Sequence, residues 1–172
     1  MVQTYRKSTD ISIMVWGAIW LDGRSDLVIM KRDEESKGGG YSANSYLKVL
    51  EEEMPKCFEP GRVFMQDNAS IHTAKKVIQW CEDHAILLLD WPPYSPDMNP
   101  IEHVWAIMKQ WIDKHYPELS KMGKSQAAYD QLAEVIVEAW DALDQEYIDK
   151  LIRGMPKRVK TLRIAKGWHT KY

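Results

Sequence analysis

Runs of apolar residues divide the chain into predicted strands and helices. ISIMVWGAIW (11–20) and DLVIMK (26–31) are apolar and rich in β-branched residues, and the LDGR turn between them predicts a hairpin. GRVFMQD (61–67) and ILLLDW (86–91) are apolar runs of strand length. The segment between them repeats apolar positions at helical spacing, so it predicts a βαβ unit with parallel strands.

Helical periodicity accounts for most of the remaining chain. Apolar residues at helical spacing predict helices over 42–55, 100–115 and 126–142. The chain beyond residue 144 predicts one or two basic helices. These elements predict an α/β fold class, a single domain over residues 1–172, a core at about 10–116 and C-terminal helices at about 125–166.

Composition favours an intracellular globular protein. The chain has 172 residues, of which 45% are hydrophobic and 28% are charged. It lacks the 18-residue apolar run of a membrane span, and its first residues lack the apolar core of a signal peptide. Cys57 and Cys81 show no metal-type spacing, so we expect reduced thiols. We expect no membrane association and no small-molecule cofactor.

Charge is distributed unevenly along the chain. Residues 150–172 hold eight Lys or Arg and no Asp or Glu, whereas residues 1–149 hold 15 basic and 25 acidic side chains. A basic tail on an acidic body is typical of a nucleic-acid contact. The alternative is that the basic tail is a solvated helix face that balances the charge of the body. Charge alone favours this alternative.

Two carboxylates are predicted to lie at one edge of the sheet. Asp67 ends a predicted strand, and the next parallel strand ends at Trp91 on the same edge. The proline-rich segment PPYSPDMN then leads to Glu102 in the first turn of a helix. Two such carboxylates suit Mg²⁺, which proteins hold through one or two carboxylates and water. The alternatives are a turn-forming Asp67 and a capping-box Glu102 with Asn99 as the N-cap.

Asn68 and His72 follow Asp67 closely and are candidate substrate contacts or supports of a metal ligand. The alternative for His72 is a surface histidine in the cap region of the following helix, and the sequence favours this alternative. Trp105, Trp111 and Trp140 lie on apolar helical stripes. We therefore expect these tryptophans to pack in the core and not to stack on nucleic-acid bases.

Three motifs resemble the Tc/mariner superfamily of cut-and-paste DNA transposases. They are IMVWGAIW (13–20), QDNASIHTA (66–74) and WPPYSPDMNPIEHVW (91–105), and the closing AKGWHTKY is similar to the end of such proteins. The resemblance implies an RNase H-like mixed sheet with flanking helices and a catalytic pattern of Asp, Asp, 34 residues, Glu. Asp67 and Glu102 match the last two members with 34 residues between them. It thus implies that Asp67 and Glu102 are catalytic metal ligands.

The chain departs from the family pattern at its start. The resemblance places the first catalytic Asp on an opening strand well before IMVWG, but only 12 residues precede IMVWG here, and Asp10 is a poor substitute. We expect a fold that lacks its first strand and first ligand, with IMVWGAIW pairing directly with GRVFMQD or with a partner. Little or no transposase activity is expected from this chain alone. The alternative is a non-enzymatic transposon remnant or a retained DNA- or protein-binding module.

The resemblance also implies cofactors, partners and location. It implies a two-ion site for Mg²⁺ or Mn²⁺, weak here because one ligand is missing, and DNA in the form of transposon ends. It further implies a homodimer and a nuclear protein. In this setting the basic side chains of the tail become candidate phosphate contacts: Lys157, Arg158, Lys160 and Arg163.

Overall fold

A computed structural model describes residues 2–6, 11–90, 98–123 and 125–164. The strands are β1 (Val2–Arg6), β2 (Ser12–Trp16), β3 (Ile19–Trp20), β4 (Gly23–Arg24), β5 (Val28–Ile29), β6 (Val63–Phe64) and β7 (Leu87–Leu88). The helices are α1 (Ala43–Cys57), α2 (Lys75–Asp83), α3 (Pro100–His115), α4 (Gln126–Asp141), α5 (Gln145–Arg153) and α6 (Met155–Ile164), with a 3₁₀ helix at Pro117–Lys121. None of the helices in these ranges is long and apolar enough to cross a bilayer.

The predicted hairpin is present, but its arms are split. β2 pairs antiparallel with β5, and Val15 lies opposite Ile29. Between them, β3 and β4 form a second, tighter antiparallel pair. Gly17 separates β2 from β3 at a point where a Cβ atom would lie 3.0 Å from the ring of Trp140. The apolar run therefore forms two short strands because the chain must pass closely over a tryptophan.

The strand β1 was not predicted from the sequence. It pairs antiparallel with β2 in a sheet ordered β1-β2-β5, so β2 has a strand on each side. The expectation that IMVWGAIW pairs directly with GRVFMQD is therefore wrong, since the β1 backbone occupies that side of β2. The residues of β1 are VQTYR, which include no carboxylate, so this strand adds no acidic ligand. Asp10 lies outside the described residues.

The predicted βαβ unit is confirmed. β6 and β7 pair in parallel, with Val63 opposite Leu87, and α2 lies between them in the sequence. Both strands are shorter than predicted, and they form a sheet separate from β1-β2-β5 in the part of the chain that the structure describes. Asp67 thus lies three residues beyond β6 and is not its last residue. Trp91 lies outside the described residues.

Helix α1 continues past the proline that was expected to end it. Ser42 is the N-cap, and Ser42 and Ser45 form a reciprocal capping box. Pro55 lies inside the last turn, and the helix ends at Cys57, where the Phe58 N–H donates to the Met54 carbonyl at 2.8 Å. A proline so close to the C-terminal end removes a single intrahelical donor, so the helix retains its last turn.

Two apolar clusters fill the interior, one on each side of β2. The first joins Ile13 and Val15 of β2 to α3, α4 and α5. The second joins Trp16 to α1 and α2. Trp105 and Trp140 are each 1% exposed and stack at 5.3 Å in the first cluster, as expected for core residues. The second cluster includes Phe64 of β6, so both elements that lead to the candidate carboxylates are anchored in packed interior.

Candidate functional site

Asp67 is held by its own loop. The backbone N–H of Ala69 donates to Asp67 Oδ1 at 3.1 Å, the local turn that aspartate commonly forms. The Asp67 side chain is 43% exposed, so it is accessible from solvent. The pKa of Asp67 is lowered below the ordinary aspartate value, chiefly by the hydrogen bond from His72. Asp67 is therefore an accessible, ionised oxygen donor at neutral pH.

His72 is buried, and the prediction of a surface histidine is wrong. The residue is 1% exposed, and its Nδ1 lies 2.6 Å from Asp67 Oδ1. The imidazole packs on the ring of Tyr46 at a centroid distance of 4.5 Å. The imidazole therefore contacts the Asp67 carboxylate, and its burial does not fit the predicted role of a direct substrate contact.

Glu102 occupies the first turn of α3, as predicted. Asn99 is the N-cap and Pro100 begins the helix, but the Asn99 side chain makes no capping hydrogen bond. The alternative of a reciprocal capping box therefore lacks the hydrogen bond from the Asn99 side chain. The segment of PPYSPDMN at residues 92–97 lies outside the described residues.

The two carboxylates interact electrostatically. Burial, chiefly, and then the negative charge of Asp67 raise the pKa of Glu102 above the ordinary glutamate value, while Lys109 opposes this shift. Charges act on each other in this way only when they are close and share a poorly screened environment. Asp67, three residues beyond β6, and Glu102, in the first turn of α3, therefore lie within electrostatic range of each other. A divalent cation would relieve their repulsion, since hard cations prefer carboxylate oxygens.

Asp67, His72 and Glu102 do not form a compact metal-ligand group in the part of the chain that the structure describes. Across the described ranges, no three His, Cys, Asp or Glu side chains are grouped as in a metal centre. Asn68 is exposed and adjoins Asp67 in the loop. Asp67 and Glu102 each carry the hard oxygen atoms that Mg²⁺ binds in proteins.

The basic candidates lie on a different element. Lys157 and Lys160 are exposed on α6, and Arg158 is partly buried there. Arg163 belongs to α6, but its side chain is outside the part that the structure describes, as is the whole of AKGWHTKY (165–172). Helix α6 contacts α5, which in turn contacts α3. The basic side chains predicted to contact phosphate thus lie on α6 and not in the loop that carries Asp67.

Sequence reasoning missed two polar residues beside the site. The Tyr46 hydroxyl donates to Gln66 Oε1 at 2.7 Å, and Gln66 Nε2 donates to the His72 carbonyl at 3.4 Å. Tyr46 is fully buried and Gln66 is 7% exposed. Tyr46 was counted only as an apolar position of a helix, and no spacing rule links it to Gln66. Both brace the loop that carries Asp67.

Comparison with known proteins identifies the family. The family described as DDE superfamily endonuclease matches residues 6–122, more than half of the chain. The chain belongs to this family. Among its relatives, the Tcb2 transposase of Caenorhabditis briggsae is 39% identical over 110 residues, covering 64% of this chain and 37% of the relative. The Tc3 transposase of Caenorhabditis elegans is 29% identical over 166 residues, covering 92% and 45%. The resemblance to Tc/mariner transposases is confirmed, and the chain spans less than half the length of these relatives.

Solved structures confirm the fold. The catalytic domain of Mos1 transposase with Raltegravir and Mn superposes with a TM-score of 0.72 at 19% identity, covering 99% of this chain and 82% of that one. The Mos1 strand transfer complex superposes with a TM-score of 0.68 at 21% identity, covering 93% and 44%. The RNase H-like transposase fold predicted from the sequence motifs is therefore the fold of this DDE chain.

Glu102→Gln is expected to stabilise the protein at neutral pH. The raised pKa means that the folded protein retains the Glu102 proton at a pH where the unfolded chain has lost it. Stability of the parent therefore falls as pH rises from the ordinary glutamate pKa through the raised one, and the glutamine variant escapes this loss. We expect a gain in the free energy of unfolding at pH 7 that vanishes in acid.

Urea unfolding of parent and variant at several pH values measures this difference. Glu134→Gln, which removes an exposed carboxylate of α4, is the matched control and should change little at any pH. A destabilised Glu102→Gln at pH 7 would contradict the electrostatic account.

Proposed function

We propose that this chain is a transposase catalytic domain whose Asp67 and Glu102 bind Mg²⁺ or Mn²⁺ for DNA strand cleavage and joining. The match to the DDE family over residues 6–122 carries the proposal, because Asp67 and Glu102 fall within it at the 34-residue spacing of the DDE pattern. Family membership and the Mos1 structures reported with Mn and with Mg support the choice of metal. When bound, such an ion polarises phosphate oxygens and activates an attacking oxygen.

The residues present fit a divalent cation. Asp67 supplies an accessible, ionised oxygen, and Glu102 is a partly buried carboxyl whose charge is disfavoured until a cation arrives. Asn68 is exposed in the same loop, where its amide is suited to a substrate phosphate or sugar oxygen. The chain's own part is to hold two oxygens at one place while the ion and the DNA complete the site.

DNA in the form of transposon ends is the proposed substrate. Mos1 has been solved as a strand transfer complex and as a paired-end complex, which supports DNA as the partner class for this chain as well. A homodimer at paired ends and action in the nucleus follow as further parts of the proposal. Both depend on the family relationship rather than on a particular contact within this chain.

The 172-residue chain alone is expected to be inactive in strand transfer. Two carboxylates hold one ion weakly and a second ion poorly, because each ion then has too few charged ligands. Incubation of the chain with transposon-end DNA and Mg²⁺ or Mn²⁺, followed by gel analysis of cleaved and joined products, measures this. Asp67→Asn is the matched control. Robust product that disappears in Asp67→Asn would contradict inactivity while supporting Asp67 as a ligand.

Lys157 and Lys160 are proposed to contact DNA phosphates, with Arg158 and Arg163 on the same helix. We expect the Lys157→Ala and Lys160→Ala double variant to bind duplex DNA more weakly. The slope of log affinity against log salt should fall in magnitude by about 0.9 for each phosphate that the variant no longer neutralises. Fluorescence anisotropy at several salt concentrations measures the slope.

Lys37→Ala, which removes an exposed lysine from the loop before α1, is the control for a general loss of positive charge. An unchanged salt slope in the double variant would show that Lys157 and Lys160 do not contact DNA phosphates. DNA binding without metal binding would instead favour the alternative of a retained DNA-binding module.

A further inference from the structure

The two oxygens of Asp67 are not equivalent. Oδ1 accepts a hydrogen bond from the Ala69 N–H at 3.1 Å and is 2.6 Å from His72 Nδ1. Within the described residues, no group donates a hydrogen bond to Oδ2. Oδ1 is therefore committed to protein donors, whereas Oδ2 accepts no hydrogen bond from the described residues.

The donor on His72 is fixed by its surroundings. A carboxylate oxygen only accepts hydrogen bonds, so the 2.6 Å contact requires that Nδ1 carries a proton. Nε2 is buried and has no hydrogen-bond partner in the described part of the chain. The ring is 1% exposed, so neither nitrogen is presented to a substrate. Among the described residues, the imidazole makes its side-chain polar contact with Asp67.

Buried groups pack against the His72 ring and bond to its backbone. Tyr46 packs against it at 4.5 Å, and the Tyr46 hydroxyl donates to Gln66 Oε1 at 2.7 Å. Gln66 Nε2 donates back to the His72 carbonyl at 3.4 Å. Since Gln66 directly precedes Asp67, the contacts form a closed circuit from the loop to α1 and back. Such a circuit restricts rotation of both the imidazole and the carboxylate.

We propose that His72 is a positioning residue that locks Asp67 Oδ1, so that Oδ2 alone ligates the divalent cation. This inference rests on the proposed function, since it assigns a coordination mode to the same metal site. Supporting groups that hydrogen bond to metal ligands typically contribute about 10- to 100-fold to metal affinity. The competing interpretation is that His72 only fills space next to Tyr46.

Two substitutions separate hydrogen bonding from packing. His72→Phe keeps a ring against Tyr46 and removes the donor. His72→Asn loses the ring but places an amide N–H close to the former Nδ1 position. We expect His72→Phe to weaken Mn²⁺ binding by about 10- to 100-fold, while His72→Asn retains most of the parent affinity. Electron paramagnetic resonance of free Mn²⁺ measures the affinity, and thermal unfolding measures the stability of each variant.

Each outcome decides between the two interpretations. A parent-like His72→Phe, or equal losses in both variants, would overturn positioning in favour of packing. Mn²⁺ binding by the parent that depends on Asp67 and Glu102 upholds the proposed function in either case. Parent protein that binds no Mn²⁺ would overturn the proposed function and the coordination mode together.

A measurement on the parent avoids the risk that a variant fails to fold. Nitrogen-15 NMR of the histidine side chains, with His72 assigned by its contacts to Tyr46, identifies the ring nitrogen that carries the proton. We expect protonated Nδ1 in the metal-free protein. A neutral ring protonated only at Nε2 could not donate to Asp67 and would overturn the proposal.

Discussion

Replacing Trp140 with alanine is expected to lower the free energy of unfolding by about 3–5 kcal/mol. The side chain is 1% exposed, stacks on Trp105 at 5.3 Å, and donates from Nε1 to the Ser25 carbonyl at 2.9 Å. It also lies under Gly17, where the chain passes too closely for a larger residue. Alanine would leave a large cavity and an unpaired carbonyl at once, and both effects are destabilising.

Trp111→Ala is the matched control on the neighbouring helix α3. Trp111 is only partly buried and stacks on His115 near the protein surface, so we expect a clearly smaller loss. Denaturant unfolding followed by circular dichroism measures both variants. Equal losses of unfolding free energy in the two variants would mean that the packing of Trp140 of α4 on Trp105 of α3 contributes no more than a partly buried tryptophan does. Since α3 begins two residues before Glu102, the packing of α3 on α4 also positions the Glu102 carboxylate.

Glu102→Gln is expected to weaken Mn²⁺ binding by at least about 10-fold while leaving the protein folded. Glutamine preserves the shape of the side chain but removes the charge that a divalent cation would neutralise. The parent affinity should itself be weak, since the described residues include no group of three His, Cys, Asp or Glu side chains that could hold a metal ion. Loss of affinity and gain of stability in one variant would be the signature of a carboxylate placed for ligand binding.

Isothermal titration of Mn²⁺ into parent and variant measures this loss. Glu134→Gln on α4 controls for the removal of one negative charge far along the sequence from the pair. Unchanged Mn²⁺ affinity in Glu102→Gln would remove Glu102 from the site. An equal loss in Glu134→Gln would show that the ion is attracted only by the overall acidic charge.

Elements with strong periodicity could be predicted from the sequence, whereas elements made by pairing could not. Helix α3 was predicted with its observed bounds because its apolar stripe, Asn99 and Pro100 agree. The parallel pair of β6 and β7 followed from two apolar runs and the helix between them. β1 has no such signal in VQTYR, and it becomes a strand by pairing with β2. The predicted end of α1 at Pro55 was wrong, because proline disrupts a helix interior but is tolerated in the last turn.

The candidate site was predicted in part. Topology predicts that Asp67 and Glu102 lie toward one edge, and Asp67 is close enough to raise the pKa of Glu102. The burial of His72 could not be predicted, because a histidine near a helix start has no periodic signal of burial. Its environment is provided by Tyr46, which is 26 residues earlier in the chain. Catalytic roles for Asp67, Glu102, Asn68 and the basic helix remain predictions.

The proposed metal site requires that Asp67 and Glu102 share one cation. Carbon-13 NMR of the side-chain carboxyl groups tests it directly, with signals assigned through Asp67→Asn and Glu102→Gln. Small amounts of Mn²⁺ should broaden the Asp67 and Glu102 signals together and before that of Glu134, and the broadening of Asp67 should weaken in Glu102→Gln. Broadening of one carboxyl without the other, or equal broadening of all acidic side chains, would contradict the shared site.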